Sequence, residues 1–374
     1  MKILLLGDYS NYHPTLGAAL ARMGHEVTVA SDGSRWMRTA RSIDLRRPLP
    51  GVVGGALLFA RLAALDPLRG YDVVSLISPC FVTLRPERLR YLFDRLRRRN
   101  GAVYLAAVGT DKAFMDMLTA ADCPLKYSEY TLPDGSPNPA TATALEGDRL
   151  WQSGAVADYC EYVYDHVDGC TTALYEYDLA MRRRMPAERV VYCGIPIDTT
   201  AFAPCGEFAS EGRVRLFLGR DRRRMAVKGT DLLGEVARQV VADLPGECSL
   251  DIVENVPFAE YVERQQAADV VLDQVYSYTP ATNALMAMAR AKAVVSGAEP
   301  AYYDFIGESA NRPIFNAVPD EQALYDTIRA IVTNREATAA AAAASPDFVA
   351  RHNAADVVAE RCLSLWLKNV NNEA

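Results

Sequence analysis

Lys2-Ile3-Leu4-Leu5-Leu6, a turn at Gly7-Asp8, a helix opening at Pro14 and a second apolar run Glu26-Val27-Thr28-Val29-Ala30 decide the fold class. Pro14 suits a first helical position. Leu16, Leu20 and Met23 fall at i, i+4 and i+7, one face of a helix, and Gly24 can close that helix in the left-handed conformation. Strand, helix and strand in about thirty residues read as the start of a parallel sheet with right-handed crossovers.

The same alternation runs on through Asp72-Val73-Val74-Ser75-Leu76-Ile77, a helix over Pro86–Arg99, and strands at 102–107, 168–172 and 189–192. A polar stretch bearing Pro and Gly, from Asp122 to Ala155, interrupts it and reads as an active-site flap or partner loop. Periodicity breaks again between Gly194 and Ser210. It restarts with Val214-Arg215-Leu216-Phe217-Leu218, followed by strands at 249–253, 270–272 and 293–296. A last helix runs from about Ala354 to Lys368, with Val357, Val358, Cys362 and Leu365 on one stripe.

With 374 residues the chain is long enough for two domains. Half of its residues are hydrophobic and 23% are charged, a globular composition, and the net charge of -7 argues against a nucleic-acid partner. No stretch approaches the 18 apolar residues of a membrane span. The apolar run after Met1 stops at Gly7, short of a signal-peptide core. Eight cysteines are scattered without a CxxC pair and read as reduced, mostly buried thiols rather than metal ligands. The expectation is a cytoplasmic protein, with the inner face of the membrane as a second place of residence.

The strand ending Leu218-Gly219-Arg220 carries the most chemistry. A strand-terminal glycine lets a ligand approach the backbone, and Arg220 with Lys228 offers a planar fork and a point charge to a diphosphate. Arg222, Arg223 and Arg224 lie in the same stretch, so an ordinary surface loop is the competing reading. The spacing is not that of a P-loop. Further on, Asp273-Gln274 closes a strand at the edge where open α/β sheets bind ligands. Pro280-Ala281-Thr282-Asn283 leads into a helix whose first amides suit a phosphate, with Thr282 or Asn283 also able to cap it.

Gly194-Ile195-Pro196-Ile197-Asp198 with Phe202-Ala203-Pro204 resembles the linker of the GT-B glycosyltransferases related to glycosyltransferase family 4. Leu216-Phe217-Leu218-Gly219-Arg220 with Lys228-Gly229 resembles that family's donor-diphosphate motif. Gly109-Thr110-Asp111 is similar to its N-domain turn, and Asp168-Gly169 with the Thr-rich strand also fits. The resemblance covers most of the chain. It implies an α/β protein of two facing Rossmann-like domains with an interdomain cleft: an acceptor-side domain over 1–205, a donor-side domain over 206–352, and a helix over 353–374 crossing back to the first. It further implies retaining transfer of a hexose from a nucleotide-diphosphate sugar to a glycan or lipid-linked acceptor, with no cofactor beyond that co-substrate and no metal.

The chain departs from the family at its pair of glutamates seven residues apart. Met286 stands at the second position, and Tyr278 or Thr279 at the first. Tyr278, Thr279, Thr282 and Asn283 can hydrogen-bond a donor only as neutral groups. Glu299 can replace one lost carboxylate on the ribose, or can be a solvated turn acid. On the acceptor side, Gly7 and Asp8 end the first strand, with Asp8 a candidate for binding or deprotonating an acceptor hydroxyl. Asp111, after Gly109, serves the same cleft or caps the next helix, and His13 can bond a substrate or be incidental.

The helix over Pro86–Arg99 has a narrow apolar face of Leu89, Leu92, Phe93 and Leu96, with arginines over the rest. It reads as a solvated surface helix or as one drawn to anionic headgroups. Besides an active transferase, two alternatives stand: a catalytically silent GT-B protein that binds nucleotide or glycan, and a dinucleotide oxidoreductase. The oxidoreductase would need a GxGxxG after the first strand, which is absent.

Overall fold

The computed structural model describes residues 1–370 except Arg35, Glu207, Ala209 and Ser210. It contains two compact units. The first comprises Met1–Ala121, Gly147–Pro196 and the terminal segment from Ala355; the second comprises Asp122–Glu146 and Ile197–Ala354.

The first unit is built on seven strands: β1 (Lys2–Leu6), β2 (Glu26–Ser31), β3 (Ile43–Asp44), β4 (Val73–Leu76), β5 (Ala102–Ala107), β6 (Gly169–Thr172) and β7 (Val190–Tyr192). All pair in parallel in the order β3-β2-β1-β4-β5-β6-β7. Ile3, Leu4, Leu5 and Leu6 are completely buried. A strand can be apolar at successive positions only when helices cover both sheet faces. Helices α1 (Tyr12–Arg22), α2 (Gly51–Leu65), α3 (Pro86–Arg99) and α4 (Lys112–Thr119) belong to this unit. The terminal helix Ala355–Val370 lies on the same sheet. Its Trp366 is buried, with the Trp366 carbonyl accepting from the Tyr104 hydroxyl at 3.2 Å, and Arg22 pairs with Asp356 at 2.5 Å.

The second unit has five strands: β8 (Val214–Arg220), β9 (Cys248–Glu254), β10 (Val270–Leu272), β11 (Ala293–Ser296) and β12 (Phe315–Asn316). They too are parallel, ordered β12-β11-β10-β8-β9. Its separate core contains Leu216, Leu218, Leu233, Val270, Leu272 and Val295. In each sheet the strand order reverses direction once, between β1 and β4 in the first and between β8 and β10 in the second. Open α/β sheets bind ligands at the carboxyl ends of the strands flanking such a reversal.

Several boundaries differ from the sequence reading. Helix α1 starts at Tyr12, two residues before Pro14, so His13 is helical. β3 and α2 are additional elements. Their stretch lacks a regular period, because α2 is apolar nearly all round. The stretch Asp122–Glu146 belongs to the second unit instead of the first, and the units part at Pro196–Ile197 instead of at 205. Ile197 N donates to the Asn353 carbonyl at 2.8 Å, which ties the linker to the end of the second unit.

Candidate functional site

The reversal in the second sheet brings together the carboxyl ends of β8 and β10, which carry Gly219-Arg220 and Asp273-Gln274. Gly219 has a use other than backbone access for a ligand. A Cβ there would lie 2.1 Å from Cε2 of Tyr261, so the glycine makes room for that ring. The Arg220 Nη2 donates to Glu254 Oε1 at the end of β9, while Arg222 Nε holds Oε2 at 2.7 Å. Hydrogen bonding from Arg222, reinforced by the charge of Arg220, pulls the Glu254 pKa down. Arg220 is thus half-neutralised. Its Nε is buried and lacks a partner among the described residues.

Lys228 ends the short helix Met225–Lys228, and its carbonyl accepts from Val275 N at 2.9 Å. That bond fastens the lysine's turn to the segment following β10. The side chain is half-buried, and no carboxylate among the described residues pairs with it. Of the two cations singled out from the sequence, Lys228 is the one whose charge is uncompensated.

Behind this edge lies a closed polar network. Asp273 Oδ1 accepts from Asn283 Nδ2 at 3.0 Å, and its Oδ2 accepts from Ser296 Oγ at 3.0 Å. Asn283 Oδ1 in turn accepts from the Tyr261 hydroxyl at 2.6 Å and from Gln265 Nε2 at 2.7 Å. Asp273 and Asn283 therefore spend their hydrogen-bonding capacity on each other and on their neighbours. Asn283 does not cap its helix either. The helix Thr282–Ala289 has Ala281 at the N-cap, with no side-chain hydrogen bond, so neither Thr282 nor Asn283 satisfies the first amides. These orphan N–H groups and the positive end of the helix dipole remain for a ligand. Thr282 is half-buried, whereas Tyr278, Thr279, Gln274 and Met286 are buried; Gln274 Nε2 reaches the Thr279 carbonyl at 3.5 Å.

The segment 122–146, part of the stretch read as an active-site flap or partner loop, supplies contacts that the sequence did not single out. Lys126 N donates to the Tyr278 hydroxyl at 2.6 Å, and the Tyr127 ring packs on that of Tyr278 with centroids 4.9 Å apart. The Tyr127 hydroxyl donates to Glu299 Oε1 at 2.8 Å, and Asn316 Nδ2 reaches the same oxygen at 2.7 Å. Glu299 is therefore no solvated turn acid. It is buried, its Oε1 is held from two sides, and its Oε2 has no partner among the described residues. The only sequence signal for Tyr127 was its place in an irregular stretch.

In the first unit, the carboxyl edge is occupied from within. Gly7 has φ +85°, and a Cβ there would meet Ile77 Cγ2 at 2.3 Å. Asp8 accepts from Thr39 Oγ1 at 2.7 Å and from His13 N at 3.3 Å, and burial raises its pKa. His13 is fully buried. Its Nδ1 donates to the Gly7 carbonyl at 2.7 Å and its Nε2 accepts from Ser75 at 3.4 Å, a neutral tautomer whose pKa burial lowers to about 4. This histidine braces the first turn, out of a substrate's reach. Asp111, beyond Gly109, caps α4 by accepting from Phe114 N at 3.0 Å, and burial pushes its pKa up to about 6.

No family model and no curated protein matches the chain. Solved structures do. Sucrose-phosphate synthase from Thermosynechococcus elongatus superposes with a TM-score of 0.64 at 14% identity, covering 100% of both chains. HepE of Anabaena, solved in complex with UDP-glucose, gives 0.56 at 11% identity, again over 100% of both. A glycosyltransferase from Rickettsia africae gives 0.55 at 11%, covering 99% of this chain and 98% of the other. The fold is GT-B. At these identities the likeness is one of fold, and the site is this chain's own.

Proposed function

We propose that this GT-B chain transfers a hexose from a nucleotide-diphosphate sugar to a glycan or lipid-linked acceptor, and that the donor binds at the β8/β10 reversal of the second sheet. The supporting observation is the uncompensated Lys228 beside Arg220 and the uncapped amides of helix Thr282–Ala289, a set of positive groups at a topological ligand position. HepE, solved with UDP-glucose and with UDP and glucose, is another chain of this fold that takes such a ligand. In the reaction the anomeric carbon's bond to the diphosphate breaks as the acceptor oxygen bonds to that carbon. The hydroxyl proton passes to the leaving phosphate oxygen. Lys228 and Arg220 stabilise the negative charge that develops on the departing diphosphate, and fixed cations aimed at a developing charge lower the barrier more than any other single device in such sites. Retention of configuration and independence of metal belong to the same proposal and rest on the resemblance to glycosyltransferase family 4. Glu299, with Oε2 available, is the ribose acceptor in this reading.

Calorimetry with UDP, alongside chromatographic detection of UDP released from UDP-sugars, tests it. Lys228→Ala weakens UDP binding by about tenfold to a hundredfold, the loss of one charge-assisted hydrogen bond. Arg220→Ala has the smaller effect, because Glu254 already draws on that charge. A strong chelator leaves binding unchanged. Equal affinity in the wild type and Lys228→Ala would remove the diphosphate assignment. A second reading, a silent nucleotide binder, is favoured by the commitment of Asp273 and Glu254 to protein partners. Tight UDP binding with no release from any UDP-sugar, with or without acceptor, would select it.

A further inference from the structure

The surface of the first unit carries a helix with the wrong outside. Inward, α2 buries Leu58 and Leu62. Outward it presents Val52 at 65% exposure, Val53 at 61% and Leu57 at 46%, with Leu49 at 49% just before it. Val53, Leu57, Ala60 and Ala64 follow at i, i+4, i+7 and i+11, all exposed, so the outer face is an apolar stripe. A helix on a water-facing surface is ordinarily polar there, and clustered exposed apolar side chains mark an interaction site. From Leu45 to Leu65 there is no Asp or Glu.

Cations border the stripe. Arg47 bonds through Nε and Nη2 to the Thr83 carbonyl and through Nη1 to that of Gly51, and Arg61 bonds to the Asp44 carbonyl. These partners are neutral, and no carboxylate among the described residues pairs with either charge. The arginines of α3 are more occupied. Arg95 and Arg99 share the single carboxylate of Asp66, while Arg88 lies 5.5 Å over Phe59 and Arg90 3.8 Å over Tyr162. The apolar stripe of α2 thus has a cation just before it, Arg47, and one within it, Arg61; Arg97 and Arg98 of α3 are exposed as well. At 15 residues, α2 is shorter than the roughly 20 needed to cross a bilayer, and among the described residues no helix is long and apolar enough to do so.

We propose that α2 docks the protein on an anionic lipid bilayer, lying in the plane of the interface with Val52, Val53 and Leu57 among the acyl chains and Arg47 and Arg61 at the headgroups. The inference stands independently of the donor site.

The test is co-sedimentation of the full-length protein with vesicles of phosphatidylcholine alone or with roughly a quarter phosphatidylglycerol, at about 0.1 M and about 0.5 M salt. The wild type pellets with the anionic vesicles at low salt, and far less with neutral vesicles or at high salt. Val53→Asp with Leu57→Asp lowers the bound fraction at least about tenfold at low salt, since an apolar face is replaced by charges that anionic lipid repels. Arg47→Gln with Arg61→Gln, which keeps hydrogen-bond donors in place, lowers it several-fold. Melting temperature and UDP affinity stay at wild-type values, so a folding defect would be seen as such. Absence of wild-type binding to the anionic vesicles overturns the proposal, as does unchanged binding of the aspartate pair. So does a lipid-free dimer by light scattering that the aspartate pair dissociates, because a second copy would then cover the stripe.

Discussion

At the end of β1, Asp8 is enclosed by Thr39 and by the amide of a helix whose His13 bonds back to Gly7, and Asp111 beyond β5 is turned into a helix cap. At the end of β8, Arg220 is only half-satisfied, Lys228 lacks an acidic partner among the described residues, and the helix beyond β10 starts without a side-chain cap. Both edges are carboxyl ends of parallel strands at a topological reversal. The difference is in what their polar groups do. The first edge closes its hydrogen bonds internally, and the second keeps positive groups in reserve. Equivalent places in two Rossmann-like sheets are thus not equivalent sites, and the donor assignment rests on the second alone.

The glycines at the two edges give the largest expected effects. Gly7→Ala incurs both a left-handed backbone penalty and a Cβ placed 2.3 Å from Ile77, and should destabilise the fold by about 2–5 kcal/mol. Gly219 has no positive φ, so Gly219→Ala meets only the Tyr261 ring and should cost about 1–3 kcal/mol. Urea denaturation of the two variants ranks them. The reverse order would mean that the second edge is the more rigidly packed of the two.

The alternating strands and helices were legible because strands covered on both faces read as short continuous apolar runs, set between helices with an apolar stripe of 3.6-residue period. The α/β fold and the placing of Gly219-Arg220 and Asp273-Gln274 at strand ends follow from them, whereas the strand order that sets β10 beside β8 does not. Helix α2 was hidden because apolar residues on both faces erase the 3.6-residue period. The fate of Asp8, Asn283 and Asp273 was hidden for another reason. A sequence shows where a polar side chain stands along an edge but not which neighbour already holds it. Gly219 illustrates the limit, because its partner Tyr261 lies on a helix that starts 39 residues later, at Phe258.

Asp111 offers an intermediate effect and tests the closed edge by pH. Its pKa in the folded chain, about 6, exceeds the ordinary aspartate value of 3.8 because burial disfavours the carboxylate. The stability linked to its proton is therefore fully present below about pH 4 and is lost as pH rises through about 6. Asp111→Asn keeps an oxygen for Phe114 N and stays neutral. It should be more stable than the wild type by about 1–3 kcal/mol at pH 7, with the gap closing near pH 4. Denaturation at both pH values measures it. A gap independent of pH would show that Asp111 titrates normally and that this edge is better solvated than its hydrogen bonds indicate.

The smallest expected effect lies at Tyr127, where segment 122–146 meets the open edge. Tyr127→Phe retains the ring packed on Tyr278 and removes only the hydroxyl that donates to Glu299 Oε1. Asn316 still holds that oxygen, so the loss of stability should be near 1 kcal/mol, about the net contribution of one hydrogen bond. The nucleotide is the more informative readout. With two donors on Oε1, the carboxylate is held so that Oε2 is available to a ribose hydroxyl; with one, it can rotate and must be re-ordered on binding. UDP affinity should fall by about threefold to tenfold, corresponding to about 1 kcal/mol. Neither Asp111→Asn nor Asp8→Asn, at the other edge, should change it. UDP binding by Tyr127→Phe as tight as in the wild type would show that Glu299 serves only to fasten segment 122–146. The open edge would then consist of Lys228, Arg220 and the helix amides, a site for the diphosphate without a grip on the sugar of the nucleoside.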